Sequence, residues 1–331
     1  MKNHRTVLFA ALLLAALPAS AQSEASTLHQ LVHRADAVVV ATVLGASDPS
    51  PDFHRLQFRT DDVLAGTLGS EFALLEPAGR CCGRALWTLA PGQQRLLFLQ
   101  RTGPTLHGLG GERGITVAEP RLLDHVRALL ARRHDAPGTA NLLAAALQHG
   151  DRRIRDDAIL TLPALTATPD PVRATPALLA ALADELPHAS TLLPALLAST
   201  QRLQITEAAQ LLVPACLTTP HADVAELARV TLIALPADPV FAALGQHWPD
   251  RDATRLRAAE LLTGLDGPRA APLLQRLVTE TTTPRVCLAA TEGLLRHGAT
   301  PAALQARVPA AVLELAQRRL QTRPRFANVR P

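Results

Sequence analysis

Apolar and small residues recur at helical spacing through the last two-thirds of the chain. One skeleton, an apolar residue followed four positions later by a small one and then by leucines, returns about every 30–35 residues. Four copies are Ile154, Ala158, Leu162 and Leu165; Val224, Ala228, Leu232 and Leu235; Thr254, Ala258, Leu262 and Leu265; and Val286, Ala290 and Leu294. A degenerate second copy, Ala189, Leu193 and Leu197, falls midway between the first and the third. This spacing predicts paired amphipathic helices. Because one pair cannot bury its own apolar stripe, we expect residues 139–320 to stack into an all-α solenoid of about five to six pairs.

A strand-like pattern precedes the repeats, over residues 22–119. Ser26 is placed to cap a short helix, which is followed by a β-branched run from Ala37 to Leu44. Apolar and polar residues then alternate from Leu56 to Asp61, as in a half-buried strand. Further short strands are predicted at 72–75, 95–99, 105–109 and 115–118. The pattern predicts a small antiparallel, OB-like β-barrel, and hence an α+β multidomain chain.

Pro120 marks the transition between these two regions. Proline is favoured in the first turn of a helix, so residues 120–138 are predicted to form a linking or capping helix.

The N-terminus has the composition of a secretory leader. Lys2 and Arg5 precede the apolar run Val7 to Leu17, and the small residues Ala19 to Ala21 suit a signal peptidase. The apolar run is too short to span a bilayer, and no later stretch is long and charge-free enough to do so. We therefore expect residues 1–21 to be a cleaved signal peptide, and the mature chain to be periplasmic or secreted.

Charge and composition restrict the classes of partner. The leader carries two of the 33 basic residues and none of the 29 acidic ones, which leaves a net charge of +2. So small an excess, together with 3% aromatic residues and no tyrosine, argues against a nucleic-acid partner. The basic surplus lies near the end of the chain, at Arg318, Arg319, Arg323, Arg325 and Arg330. We interpret it as a solvated last helix followed by a frayed basic tail, residues 321–331.

The repeats resemble a known family. The stretch from Asp151 to Ala158, echoed from Asp252 to Glu260, is similar to HEAT repeats of the short, lyase-like type. That resemblance implies a ladder between an Asp at each turn and an Arg just inside the second helix. The matching positions are Asp151, Asp223 and Asp252 for the acid and Arg155 and Arg255 for the base, with Ala158, Ala228, Ala258 and Ala290 as the small residues. Ala225 and Cys287 replace the Arg in two copies, so the ladder is incomplete.

The N-terminal region resembles a second family. Residues 35–40, 63–66 and 91–98 are similar to segments of the netrin-like, or metalloprotease-inhibitor-like, barrel modules of secreted bacterial proteins. Inhibitors of that kind place a cysteine at the mature N-terminus, where its amine and carbonyl chelate the protease zinc. Because Gln22 occupies that end here, the inhibitory mechanism does not carry over.

Cys81-Cys82 is the most unusual dipeptide of the chain. Neighbouring Cα atoms lie about 3.8 Å apart, less than in most disulfides, so a bond between the two sulfurs is strained and easily reduced. A redox, thiol or metal-handling role is one interpretation. Two buried thiols, or a bridge to a second molecule, are the others. Cys216 and Cys287 fall in separate repeats and are predicted to be small buried hydrophobes.

The remaining candidates predict structure and not chemistry. His29 and His33 stand one helical turn apart without further ligands, which favours a solvated helix face. Asp61 and Asp62 are adjacent on a strand and point to opposite faces. Three pairs of opposite charge at i, i+4 spacing predict surface ion pairs along one helix: Asp151 with Arg155, Arg152 with Asp156, and Arg153 with Asp157. No nucleophile motif occurs, so no cofactor and no enzymatic activity are expected.

We therefore predict an exported, non-enzymatic protein-binding scaffold with a partner in the cell envelope. A thiol-redox or metal-handling module centred on Cys81 and Cys82, and a protease inhibitor acting through the barrel, are the alternatives.

Overall fold

The computed structural model describes residues 26–50, 53–77, 89–110 and 114–322. Their contacts divide them into two compact units, one ending at Ala177 and the other starting at Leu178, within a single helix. The first unit holds a β-sheet with helices, and in its described residues the second is helical. The α+β composition predicted from the sequence is present.

Six strands form one antiparallel sheet in the described part of the first unit. They are β1 (Ala37–Ser50), β2 (Phe53–Ala65), β3 (Glu71–Pro77), β4 (Gln94–Thr102), β5 (Thr105–Gly108) and β6 (Ile115–Val117). The strand order is β3-β2-β1-β4-β5, and β6 also pairs with β4. Because β3 and β5, at the two ends of this order, contact each other, the sheet curls into a half-barrel.

The alternation of apolar residues explains this curled sheet. Leu56 and Phe58 of β2 face a core that also takes Val39 and Val43 of β1, while the polar residues between them face outward. Val38 and Val40, on the other face of β1, are 1% and 3% exposed, so β1 is buried on both faces. This burial confirms the prediction of a buried β-branched strand.

Helix α1 (Leu28–Arg34) precedes the sheet, and its two ends are held by the side chains of Asp157, in a later helix, and of Arg133, in a later turn. Thr27 caps it with a capping box, so the prediction of Ser26 as the cap is wrong by one residue. Asp157 Oδ1 accepts a hydrogen bond from Leu28 N at the N-terminus. At the other end Arg133 Nη2 donates to the carbonyl of His33 at 2.6 Å. An acid at the N-terminus and a base at the C-terminus both match the helix dipole.

The other described helices follow the sheet. They are α2 (Pro120–Ala131), α3 (Ala136–Ala146), α4 (Arg152–Thr161), α5 (Pro171–Glu185), α6 (Leu193–Leu203), α7 (Ala209–Thr218), α8 (Ala222–Ala234), α9 (Ala237–Gln246), α10 (Asp252–Gly264), α11 (Ala270–Glu280), α12 (Pro284–Arg296), α13 (Pro301–Leu304) and α14 (Ala310–Thr322). The predicted helix at Pro120 is confirmed as α2. The boundary between the two units lies inside α5.

The small residues of the repeat skeleton are buried where helices meet. The four predicted alanines are all 0% exposed: Ala158, Ala228, Ala258 and Ala290. The second copy was placed in the wrong register, because Ala189 lies outside α6 in a left-handed conformation, with φ of 47°. Counted from the start of its helix, the equivalent small residue is Ser199, which is 1% exposed.

Within the second unit, alternate helices contact one another in chain order. Helix α6 contacts α8, α8 contacts α10, α10 contacts α12, and α12 contacts α14. The intervening α7 and α11 pack against α8 and α12, the helices that follow them. None of the described helices is both long enough and apolar enough to cross a bilayer.

Candidate binding groove

One side of α12 is buried and the other lines a groove. Pro284 occupies the first turn of this helix, and Val286, Ala290 and Leu294 on its buried side are at most 1% exposed. The groove side is built by residues at helical spacing, namely Arg285, Leu288, Ala289, Glu292 and Arg296. Positions separated by 3, 4, 7 and 11 residues share one face of an α-helix.

Three neighbouring helices complete the groove, which encloses about 500 Å³. Glu226 and Arg229 come from α8, Glu260 from α10 and Arg319 from α14. The uncharged lining residues are Leu256, Thr263, Leu288 and Ala289. The lining therefore contains four arginines and three glutamates around a partly apolar floor.

Arg229 is held in a bidentate ion pair on one wall. Its Nε and Nη2 donate to the Glu226 carboxylate at 2.7 and 2.5 Å. Hydrogen bonding from Arg229 lowers the pKa of the Glu226 carboxyl, and the same bonds raise the pKa of Arg229, with burial opposing both shifts. A guanidinium with two parallel bonds to one carboxylate has its fork occupied and its charge balanced.

Glu292 and Arg319 form the second ion pair of the groove. Glu292 is only 8% exposed, and its Oε1 lies 3.3 Å from Arg319 Nη1. The next residue is Gly293, where an added Cβ would lie 2.5 Å from Thr263 Oγ1, so α12 lies close against α10. Arg319 is itself exposed, as predicted for a solvated last helix, and its guanidinium pairs with the buried Glu292 carboxylate.

Three charged residues of the groove are exposed and unpaired. Within the described part of the chain, Arg285, Arg296 and Glu260 lie within salt-bridge distance of no oppositely charged group. Two cations and one anion are thus presented to a ligand. The repeat skeleton does not mark these positions, although the spacing of the two arginines along α12 is visible in the sequence once the helix start at Pro284 is recognised.

The cysteines divide between described and undescribed parts of the chain. Cys81 and Cys82, the predicted thiol pair, lie outside the described residues. Cys216 and Cys287 are buried free thiols, as predicted. Burial raises the pKa of the Cys216 thiol to about 12 and also raises that of Cys287. A thiol that stays protonated at neutral pH is a poor nucleophile.

His29 is half-buried in α1, whereas His33 is exposed, as predicted for a solvated helix face. The ring centroids of His29 and His33 lie 4.4 Å apart. Burial, with His33 adding to it, lowers the pKa of His29 to about 4, so the prediction of a solvated face is wrong for this half-buried ring. In the described ranges, no group of three His, Cys, Asp or Glu side chains is arranged to hold a metal.

The predicted acidic ladder residues lie at helix starts. Asp151 caps α4 by accepting from the backbone N of Arg153 at 2.8 Å and of Ile154 at 3.3 Å. Asp252, in the first turn of α10, accepts from Thr281 and Thr283, just before α12. Asp223 is exposed in the first turn of α8. Of the three, Asp252 makes the contact to the next repeat.

The predicted basic ladder positions are Arg155 and Arg255. Arg155 is half-buried in α4, and Arg255 pairs with Asp252 of its own helix at 3.5 Å. The side chain that reaches the preceding repeat is Arg257, whose Nη1 donates to the carbonyls of Thr219 at 2.7 Å and Leu217 at 3.3 Å, at the end of α7. No periodic signal marked Arg257, because the other copies have different residues at its position.

The charged stretch of α4 and the paired aspartates of β2 have distinct partners. Arg152 pairs with Asp156 at 3.4 Å, as predicted. Asp157 is 7% exposed, so the prediction that it belongs to a surface pair is wrong. Asp61 accepts from Thr42 at 2.6 Å while Asp62 pairs with Arg127 at 3.1 Å, so the two carboxylates do not act together.

Neither a protein-family model nor a curated protein matches the chain.

Proposed function

We propose that the protein is an exported, non-enzymatic scaffold that binds another protein of the cell envelope through the groove on α8, α10, α12 and α14. The observation that supports this function is the groove itself, where fixed ion pairs frame exposed charges and a partly apolar floor. Buried apolar contact bordered by polar groups is typical of surfaces that bind proteins.

We also propose that the helices stack as HEAT-like repeats and that the sheet belongs to a separate barrel module. The succession of contacts from α6 to α14, with a buried small residue on each of these helices, supports HEAT-like stacking. The curled sheet supports an OB-like or netrin-like barrel as a separate module. Export rests on the leader composition of residues 1–21.

Blocking the groove by size tests this function without assuming a ligand charge. Ala289 is half-buried in the groove, and Ala289→Trp places a large side chain there. Ala242 is exposed on α9 outside the groove lining, so Ala242→Trp is the matched control. The full chain and both variants are used as bait in envelope extract, and captured proteins are quantified by mass spectrometry.

We expect one protein to be captured by the unmodified chain and by Ala242→Trp, and at least about tenfold less by Ala289→Trp, equivalent to roughly 1.4 kcal/mol of binding free energy. Equal capture by both variants would show that the groove is not the binding surface. Turnover of a substrate by the purified chain would contradict a non-enzymatic role.

A further inference from the structure

Arg285 and Arg296 lie on the same side of α12, separated by 11 residues. At 1.5 Å per residue their Cα atoms are about 16–17 Å apart along the axis, and 11 residues make almost a whole number of turns. Both guanidinium groups are exposed and line the groove. The groove therefore presents two cations at a fixed separation.

Between these cations the groove side of α12 carries two apolar residues and Glu292, whose charge is balanced by Arg319. Leu288 and Ala289 of α12 lie between the two arginines in the helix, and Leu256 of α10 also lines the groove. Leu288 is 8% exposed. An apolar side chain of a ligand that packs there would be removed from water, which favours binding.

The other arginines of the groove have their charges balanced. Glu226 occupies the guanidinium of Arg229, and Glu292 pairs with Arg319. Glu260 is the one unpaired carboxylate among the lining residues that the structure describes. The charge left for a ligand is therefore two cations on α12 against one anion on α10, which favours an anionic partner.

We propose that the groove binds an extended acidic peptide segment of the partner, with two carboxylates four residues apart and an apolar residue midway between them. In an extended chain, alternate side chains share one face, and four residues span about 13 Å. The flexible stems of the arginine and carboxylate side chains cover the remaining ~3 Å. The carboxylates meet Arg285 and Arg296, and the apolar side chain between them meets Ala289 and the edge of Leu288. This inference rests on the proposed function and names the chemistry of its partner.

Defined peptides test this chemistry. The probe is a fluorescein-labelled, end-capped heptapeptide, Ala-Glu-Ala-Leu-Ala-Glu-Ala, and its reference is the same peptide with Gln in place of both Glu. Binding to the full chain is followed by fluorescence anisotropy at low ionic strength, because salt screens exposed charges. The double variant Arg285→Gln with Arg296→Gln removes both cations. The control is Arg269→Gln, an exposed arginine outside the groove lining, paired with Asp238.

We expect the acidic peptide to bind at least about tenfold more tightly than its Gln counterpart, since charge-assisted hydrogen bonds are strong. The preference should be lost in the double variant and kept in Arg269→Gln. No binding of the acidic peptide, equal binding of the two peptides, or an unchanged preference in the double variant would overturn the proposal.

The capture and peptide experiments together distinguish a groove that does not bind paired carboxylates from a groove that binds no protein. If a partner is captured and Ala289→Trp abolishes its capture, while the peptides show no charge preference, the groove binds a protein but not through paired carboxylates. If Ala289→Trp does not reduce capture, the proposed function itself fails.

Discussion

Gly66 and Gly92 have nearly the same backbone conformation and very different surroundings. Their φ angles are +80° and +85°. A Cβ on Gly66 would lie 2.2 Å from the carbonyl oxygen of Asp36, whereas one on Gly92 would meet nothing within 4 Å. Gly66 is therefore required for two reasons, the left-handed conformation and the close approach of the chain before β1.

Substituting each of these glycines by alanine separates the two causes. We expect Gly92→Ala to lower the free energy of unfolding by about 1 kcal/mol, the cost of a left-handed alanine. Gly66→Ala should cost at least about 3 kcal/mol, because the backbone must also move. Urea denaturation measures both. Equal losses would show that the contact with Asp36 does not constrain the fold.

His125 makes the stability of the first unit depend on pH. It lies in α2, is 7% exposed, and its ring centroid is 6.5 Å from that of His149. Burial lowers the pKa of His125 to about 4, His149 lowers it further, and Asp151 opposes the shift. Because the folded pKa is below the unfolded value, the neutral ring stabilises the fold above pH ~6.5, and this contribution is lost as the pH falls toward 4.

We expect His125 to account for about 2 kcal/mol of the stability lost between pH 7 and pH 5. His125→Phe, which cannot be protonated, should reduce that acid loss by the same amount, whatever its effect at pH 7. His134→Gln, at an exposed position, is the control and should keep the full loss. An acid loss in His125→Phe as large as in the unmodified chain would contradict this assignment.

At the scale of elements, the side chain at the sixth position of two helices contacts the end of another helix. Asp157 and Arg257 are both the sixth residue of their helices, α4 and α10. Asp157 accepts from the N-terminus of α1, and Arg257 donates to the carbonyls at the C-terminus of α7. The sign of the charge suits the helix end it contacts.

These contacts show the limit of prediction from sequence. The strands and α2 were predictable, because alternation and proline act locally. The contacts of Asp157 and Arg257 depend on which helix end lies opposite, and this is a tertiary property. Ala189 was misplaced because leucine is so frequent around it that several i, i+4 registers fit. For the groove, the sequence shows which residues of α12 share one helix face. It does not show that this face borders a groove, because α8, α10 and α14 form the other walls.

The close approach of α12 to α10 can be tested at Gly293. An added Cβ would lie 2.5 Å from Thr263 Oγ1 and 2.9 Å from Leu274 Cδ1, so we expect Gly293→Ala to cost about 1–3 kcal/mol. Gly245 of α9 has open space around it, and Gly245→Ala should stabilise the fold by up to about 1 kcal/mol through helix propensity. Chemical denaturation compares the two. A neutral or stabilising Gly293→Ala would contradict the tight packing beneath the groove.

At the scale of the whole molecule, the two units contain different kinds of surface. The first has the curled sheet, in which residues on both faces of β1, such as Val38 and Val39, are buried. The second has consecutive helices whose charged side chains line the groove. We infer that partner binding belongs to the second unit.

Site-specific photo-crosslinking in living cells that produce the protein tests this inference most directly. A benzophenone amino acid is placed at Glu260, exposed in the groove, or at Ala242, exposed outside it. We expect a discrete adduct with a second protein from position 260 and none from position 242. No adduct at position 260, or the same adducts from both positions, would contradict a partner-binding groove.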